Sequence, residues 1–83
     1  MTIDEIKQMD KLEIVKEISL HEGEKNTTLL AVVKWFDNKP TLEKRSYWKD
    51  DNGKLKCGKS MGLRLEDLKA YSANEKEILE LMA

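Results

Sequence analysis

Residues 41–60 read TLEKRSYWKDDNGKLKCGKS, and the fold turns on where this stretch divides. Asp50-Asp51-Asn52-Gly53 is a strong hairpin signal, because Asn-Gly tolerates the positive φ that tight antiparallel connections need. Thr41–Lys49 before it has the period of a strand, with Leu42, Lys44, Ser46 and Trp48 on one face and Glu43, Arg45 and Tyr47 on the other. A further strand is expected after it, over about residues 54–60.

Working outward, Asp37-Asn38-Lys39-Pro40 is turn chemistry, and Thr27–Phe36, rich in Thr, Val and Leu, reads as a buried strand. His21–Asn26 is a polar turn, preceded by a strand in which Leu12, Ile14, Ile18 and Leu20 share one face. Thr2-Ile3-Asp4-Glu5 is a capping-box pattern. It predicts a short helix over about 3–9, so residues 1–10 form a helix or arm ahead of a domain spanning 11–83. Downstream the period lengthens: Leu65, Leu68, Tyr71, Ile78, Leu79 and Met82 fall at helical spacing, predicting an amphipathic helix over 65–82. A second capping-box pattern, Ser72-Ala73-Asn74-Glu75, points to a break near Ser72. Strands at hairpin spacing with no helix between them imply an α+β fold, a four-stranded antiparallel sheet followed by a C-terminal helix.

At 83 residues the chain holds one domain with a small core, and its single cysteine, Cys57, excludes an internal disulfide framework and a thiolate zinc cluster. Dimerisation is the remaining common source of stability, and the apolar stripe Leu65, Leu68, Tyr71, Ile78 and Met82 is its expected surface. The N-terminus has no apolar run of signal-peptide length and no segment approaches a membrane span. The expectation is a soluble, intracellular protein without membrane partners, and its brevity points to a bacterial or phage setting, nucleoid-associated in the cytoplasm, rather than a nuclear one.

Net charge is −1, but its distribution is uneven. Residues 1–24 carry three Lys against seven acids, residues 25–64 ten Lys or Arg against four acids, and residues 65–83 two Lys against five acids. A basic module between acidic flanks is a candidate polyanion-binding face. Gly53–Ser60 satisfies the phosphate-loop pattern G-x-x-x-x-G-K-S, yet no buried strand feeds it and Met61-Gly62 follow where a helix would have to grow, so nucleotide hydrolysis is not expected. His21 stands alone as a turn residue, and Cys57 has no base assigned to it. No catalytic, metal or cofactor site is expected.

Four of the five aromatic residues, Trp35, Phe36, Tyr47 and Trp48, lie within residues 34–49, interleaved with Lys34, Lys39, Lys44, Arg45 and Lys49. Aromatics beside cations suit a surface that stacks nucleobases and tracks phosphates. Parity assigns Trp35, on the face of Leu29, Ala31 and Val33, to the core, while Phe36 shares a face with Lys34 and Trp48 ends its strand beside Lys49. For Phe36 and Trp48, ligand contact and core packing both remain open on pattern alone.

The stretch LEKRSYWKDDNGKLKCGK followed by GLRLEDLKAY resembles the single-stranded-DNA-binding domain of the positive-cofactor-four transcriptional coactivator family, over about residues 28–72. The resemblance implies a four-stranded sheet and a helix, dimerisation through the helices, and single-stranded DNA held along basic, aromatic-bearing channels. By matching positions it implies DNA contacts at Lys34, Phe36, Lys39, Arg45, Trp48, Lys56 and Lys59. This chain carries one extra residue between Gly58 and Gly62, and Asp37 stands where a basic residue is expected. The implied function is sequence-tolerant single-stranded DNA binding in transcription, replication or recombination. The alternatives are an adaptor docking transcription or replication proteins, and single-stranded RNA binding.

Overall fold

A computed structural model describes all 83 residues. Helix α1 (Ile3–Ile6) precedes four strands, β1 (Leu12–Glu22), β2 (Thr27–Trp35), β3 (Thr41–Lys49) and β4 (Leu55–Cys57), and helix α2 (Leu65–Met82) closes the chain. The strands form one antiparallel sheet in sequence order, β1-β2-β3-β4. The four-stranded antiparallel sheet with a C-terminal helix is as the sequence predicts.

The sheet is covered on both faces, which explains the near-continuous apolar run of β2. On one face Leu12, Leu29, Ala31, Val33 and Tyr47 pack with Ile6 of α1, assisted by Met1, Ile3 and Met9. On the other, Leu30 and Val32 are buried under α2, whose Ile78 is wholly enclosed. Removing each such side chain from water contributes roughly 1.5–3 kcal/mol, so the N-terminal segment and α2 both belong to the folded unit.

Helix α1 is shorter than the predicted 3–9. Thr2 caps it, with Glu5 Oε1 accepting from the Thr2 backbone N–H at 3.0 Å and Thr2 Oγ1 accepting from Glu5 N–H at 3.3 Å. After Ile6 the chain tightens, Met9 N–H bonding to Ile6 O at 3.0 Å, and turns into β1 through Lys11 at φ 65°.

Strand β1 carries two register shifts, at Val15 and Ile18, so the six-residue step from Ile14 to Leu20 matches a step of only four from Val33 to Leu29. Both intervals are even. Leu12, Ile14 and Leu20 therefore share the expected face, whereas Ile18 sits at a bulge rather than in their row.

The predicted break at Ser72 does not occur, and α2 runs unbroken. Asn74 inside it donates its side-chain amide to Ala70 O at 2.8 Å, so a residue expected to open a new helix bonds back onto this one. Strand β4 is three residues rather than the predicted seven, although Gly58 N–H to Ser46 O (2.9 Å) and Met61 N–H to Lys44 O (2.7 Å) carry an irregular strap on along β3. No helix starts at Lys59-Ser60, so the phosphate-loop pattern is turn, edge strand and strap.

Candidate nucleic-acid interface

At the β3–β4 end the hairpin is fixed by its own backbone. Asp50 Oδ1 accepts from Asn52 N–H and Lys54 N–H, each at 2.9 Å, and Gly53 takes φ 77°. The Lys54 N–H, more than any other group, holds the Asp50 carboxyl below its ordinary range. This register sets Lys56 directly across from Trp48, on the face that carries α2 further along the sheet. The indole is half-buried and lies over Gly58, where a methyl group would meet Cζ3 at 3.5 Å. Lys56 and Lys59 are both exposed. An aromatic plate with a cation directly across from it and another beyond the glycine has the chemistry needed to stack a base and neutralise its flanking phosphates.

At the opposite end of the sheet, β2 leaves through Phe36 at φ 56°. The left-handed conformation costs an L-residue about 1–2 kcal/mol and breaks the strand alternation that had placed Phe36 with Lys34. Its ring is 61% exposed, with Lys11 Nζ 5.0 Å from the ring centre and Phe36 N–H bonded to Lys11 O at 2.8 Å. Lys34 is half-buried, and Lys39 is exposed in the turn held by Asn38 N–H to Trp35 O at 3.0 Å.

Arg45 is on the other face. Its Nε and Nη2 donate to the two oxygens of Glu43 at 2.9 and 3.1 Å, and Nη1 donates to Gly58 O at 2.7 Å. The guanidinium lies 5.3 Å from the Trp35 ring centre, and Trp35 Nε1 donates to Glu43 Oε1 at 3.1 Å. The hydrogen bonding of Arg45 to the Glu43 carboxylate, more than any other cause, raises the Arg45 pKa further. Trp35 is thus half-buried rather than enclosed, held where its N–H reaches a carboxylate. The enclosed aromatic is Tyr47, at 0% exposure with no hydrogen-bond partner for its hydroxyl, and burial pushes its phenol well above the ordinary pKa.

Helix α2 crosses the sheet between the two ends. Asp67 near its start pairs with Lys44 of β3 at 2.6 Å, and Glu77 further along pairs with Lys16 of β1 at 2.6 Å. The seven candidate contacts therefore fall into three places: Trp48, Lys56 and Lys59 beyond one side of α2, Lys34, Phe36 and Lys39 beyond the other, and Arg45 on the reverse face. Of the expected interface residues, Leu65, Leu68 and Met82 are exposed, Tyr71 is half-buried, and Ile78 is enclosed in the protomer's own core. Glu43 and Lys11 were not foreseen. Glu43 shares a strand face with Arg45 two residues on, which period two alone could have flagged, whereas Lys11 meets Phe36 through two left-handed residues that no pattern announces.

Comparison with protein-family models, with curated proteins and with solved structures yields no match. No helix is long and apolar enough to cross a membrane.

Proposed function

We propose that the protein binds single-stranded nucleic acid without regard to base sequence, with DNA as its ligand, and acts as a homodimer in transcription, replication or recombination. The observation that carries this reading is the half-exposed Trp48 plate lying over Gly58, with Lys56 directly across from it. The resemblance to the positive-cofactor-four family supports the same ligand and the same assembly.

The dimer is argued from α2. Its exposed apolar residues are placed symmetrically about the Ala73–Asn74 midpoint, Leu65 matching Met82 and Leu68 matching Leu79, so two antiparallel copies would satisfy one another's stripe.

The test is a titration with oligo-dT, an equal-length duplex and oligo-rU, read by tryptophan fluorescence. Oligo-dT should bind most tightly and quench Trp48, with Trp35 leaving an unquenched remainder. Trp48→Ala should cost about 1–3 kcal/mol of binding at every salt concentration, because stacking releases no counterions. A folded Trp48→Ala variant that binds oligo-dT like the parent would turn the reading to the adaptor, in which the basic face meets an acidic protein. The engagement of Arg45 by Glu43, which removes one expected phosphate contact, is what favours that second reading.

A further inference from the structure

Between Trp48 and the start of α2 the sheet holds a cavity of about 480 Å³. Alternation sets Lys44, Ser46 and Trp48 of β3 on one face, and pairing places Thr28 opposite Ser46, Leu30 opposite Lys44, and Ser19 of β1 opposite Leu30 in turn. Ser19, Thr28, Leu30 and Lys44 line the cavity, Met61 of the strap walls it and Asp67 of α2 closes it. The Thr28 and Ser46 hydroxyls lie 3.3 Å apart. The cavity therefore opens level with Ser46, one two-residue step from Trp48 along the same face, or about 6.6 Å at roughly 3.3 Å per residue.

Its polar groups are enclosed but not spent. The Lys44 and Asp67 side chains are 12% and 11% exposed, and Lys44 Nζ donates to Asp67 Oδ2 at 2.6 Å. The Arg64 N–H donates to the same oxygen at 2.8 Å, which leaves Asp67 Oδ1 and two of the three ammonium protons without a partner in the protomer. The charges on the wall cancel, Lys44 and Arg64 against Glu66 and Asp67, so a phosphate gains no net attraction there. Apolar Leu30 and Met61 beside an unspent donor and an unspent acceptor suit an uncharged heterocycle that carries both on its edge. From this geometry we infer that the cavity takes the base next to the one stacked on Trp48, with the edge of that base accepting from Lys44 and donating to Asp67. Thymine offers O4 and N3–H for this, and each of the other bases carries an acceptor beside a donor, so sequence tolerance is kept. The inference rests on the nucleic-acid reading and adds a second base site to it.

Methionine methyl resonances read the cavity directly. Met61 lies on its wall, Met1 and Met9 pack on the opposite face of the sheet, and Met82 ends α2. In the ¹³C-methyl-labelled protein titrated with oligo-dT, the Met61 resonance should shift under the ring current of the base, in step with the quenching of Trp48, while Met1 and Met9 stay in place. An abasic oligomer of equal length, at saturating concentration, should leave Met61 where it was. Ser19→Leu fills the cavity without removing a charge. It should keep the Trp48 quench and the salt slope, lose the Met61 shift, and bind oligo-dT about three- to tenfold more weakly.

A Met61 resonance that stays in place while oligo-dT quenches Trp48 overturns the inference and leaves the nucleic-acid reading standing. So does a shift that the abasic oligomer reproduces, which would put a phosphate in the cavity, or a folded Ser19→Leu variant that binds like the parent. If oligo-dT neither quenches Trp48 nor moves Met61, the nucleic-acid reading falls with the inference.

Discussion

Tyr47 is enclosed among Ile6, Leu12, Leu29, Ala31 and Val33, and its hydroxyl finds no partner there. An unsatisfied buried hydroxyl costs on the order of 1–3 kcal/mol, so Tyr47→Phe should leave the fold intact and raise the urea midpoint, by a stability increment of about 1 kcal/mol. A lowered midpoint would mean that the hydroxyl is hydrogen-bonded in solution. Its neighbours along the strand illustrate how far single residues can be read. Alternation places Tyr47 inward and Trp48 on the other face, because parity is a property of the backbone alone. It says nothing about what a polar atom meets at the end of its side chain, and so Arg45 reads as a free cation when its fork is spent on Glu43 and Gly58.

Among the elements, α2 separates two roles that periodicity merges. Ile78 is enclosed against the sheet, and Ile78→Ala should cost about 2–5 kcal/mol in denaturant unfolding. Leu68 is 51% exposed, so Leu68→Asp should leave a folded protomer that sediments as a monomer where the parent sediments as a dimer. If Leu68→Asp still sediments as the dimer, the stripe is not the interface.

The start of α2 is also pH-dependent. Burial pushes the Asp67 carboxyl up, but the Lys44 ammonium and the Arg64 N–H, bonded to it at 2.6 and 2.8 Å, outweigh burial and hold it below its ordinary value. A depressed native pKa means the contribution is complete above the unfolded value of about 3.9 and is lost as pH falls through the native one. Amide exchange in the first turn of α2 should therefore accelerate below about pH 4, and in Asp67→Asn that step should disappear.

Element order was legible because hairpin turns and a change of period are local signals. The bulges at Val15 and Ile18 were not, since an extra residue in a strand leaves composition and propensity untouched. Nor was the face that α2 covers, which Leu30, Val32, Lys44 and Lys16 decide jointly from three strands.

For the whole molecule the consequence of α2 crossing the sheet is that the candidate contacts of the proposed interface are divided. Pairing sets Tyr47 opposite Thr27, so eight residues of strand separate Lys34 from the level of Trp48, about 26 Å at roughly 3.3 Å per residue. A tetranucleotide bound at Trp48 should show the salt slope of Lys56 and none of Lys39, whereas a much longer oligo-dT should show both. Measured as alanine variants, Lys56→Ala should reduce the slope by about 0.7 with either length and Lys39→Ala only with the longer one. Equal effects of Lys39→Ala at both lengths would show that the two ends act as one site. Sequence order alone hides this division, because all these residues lie within one short basic module while the fold carries them to opposite ends of the sheet.

The sequential strand order has a consequence for how the chain acquires its structure. Every sheet pairing joins neighbouring strands through a short turn, with no crossover, so little loop entropy is lost before each contact forms. The landing site for α2, by contrast, exists only once β1, β2 and β3 are aligned, since Lys16, Val32 and Lys44 come from all three. Folding should therefore proceed from the hairpins toward the helix, and in stopped-flow refolding truncations in β2 and β3 should slow refolding while truncation at Ile78 should chiefly accelerate unfolding.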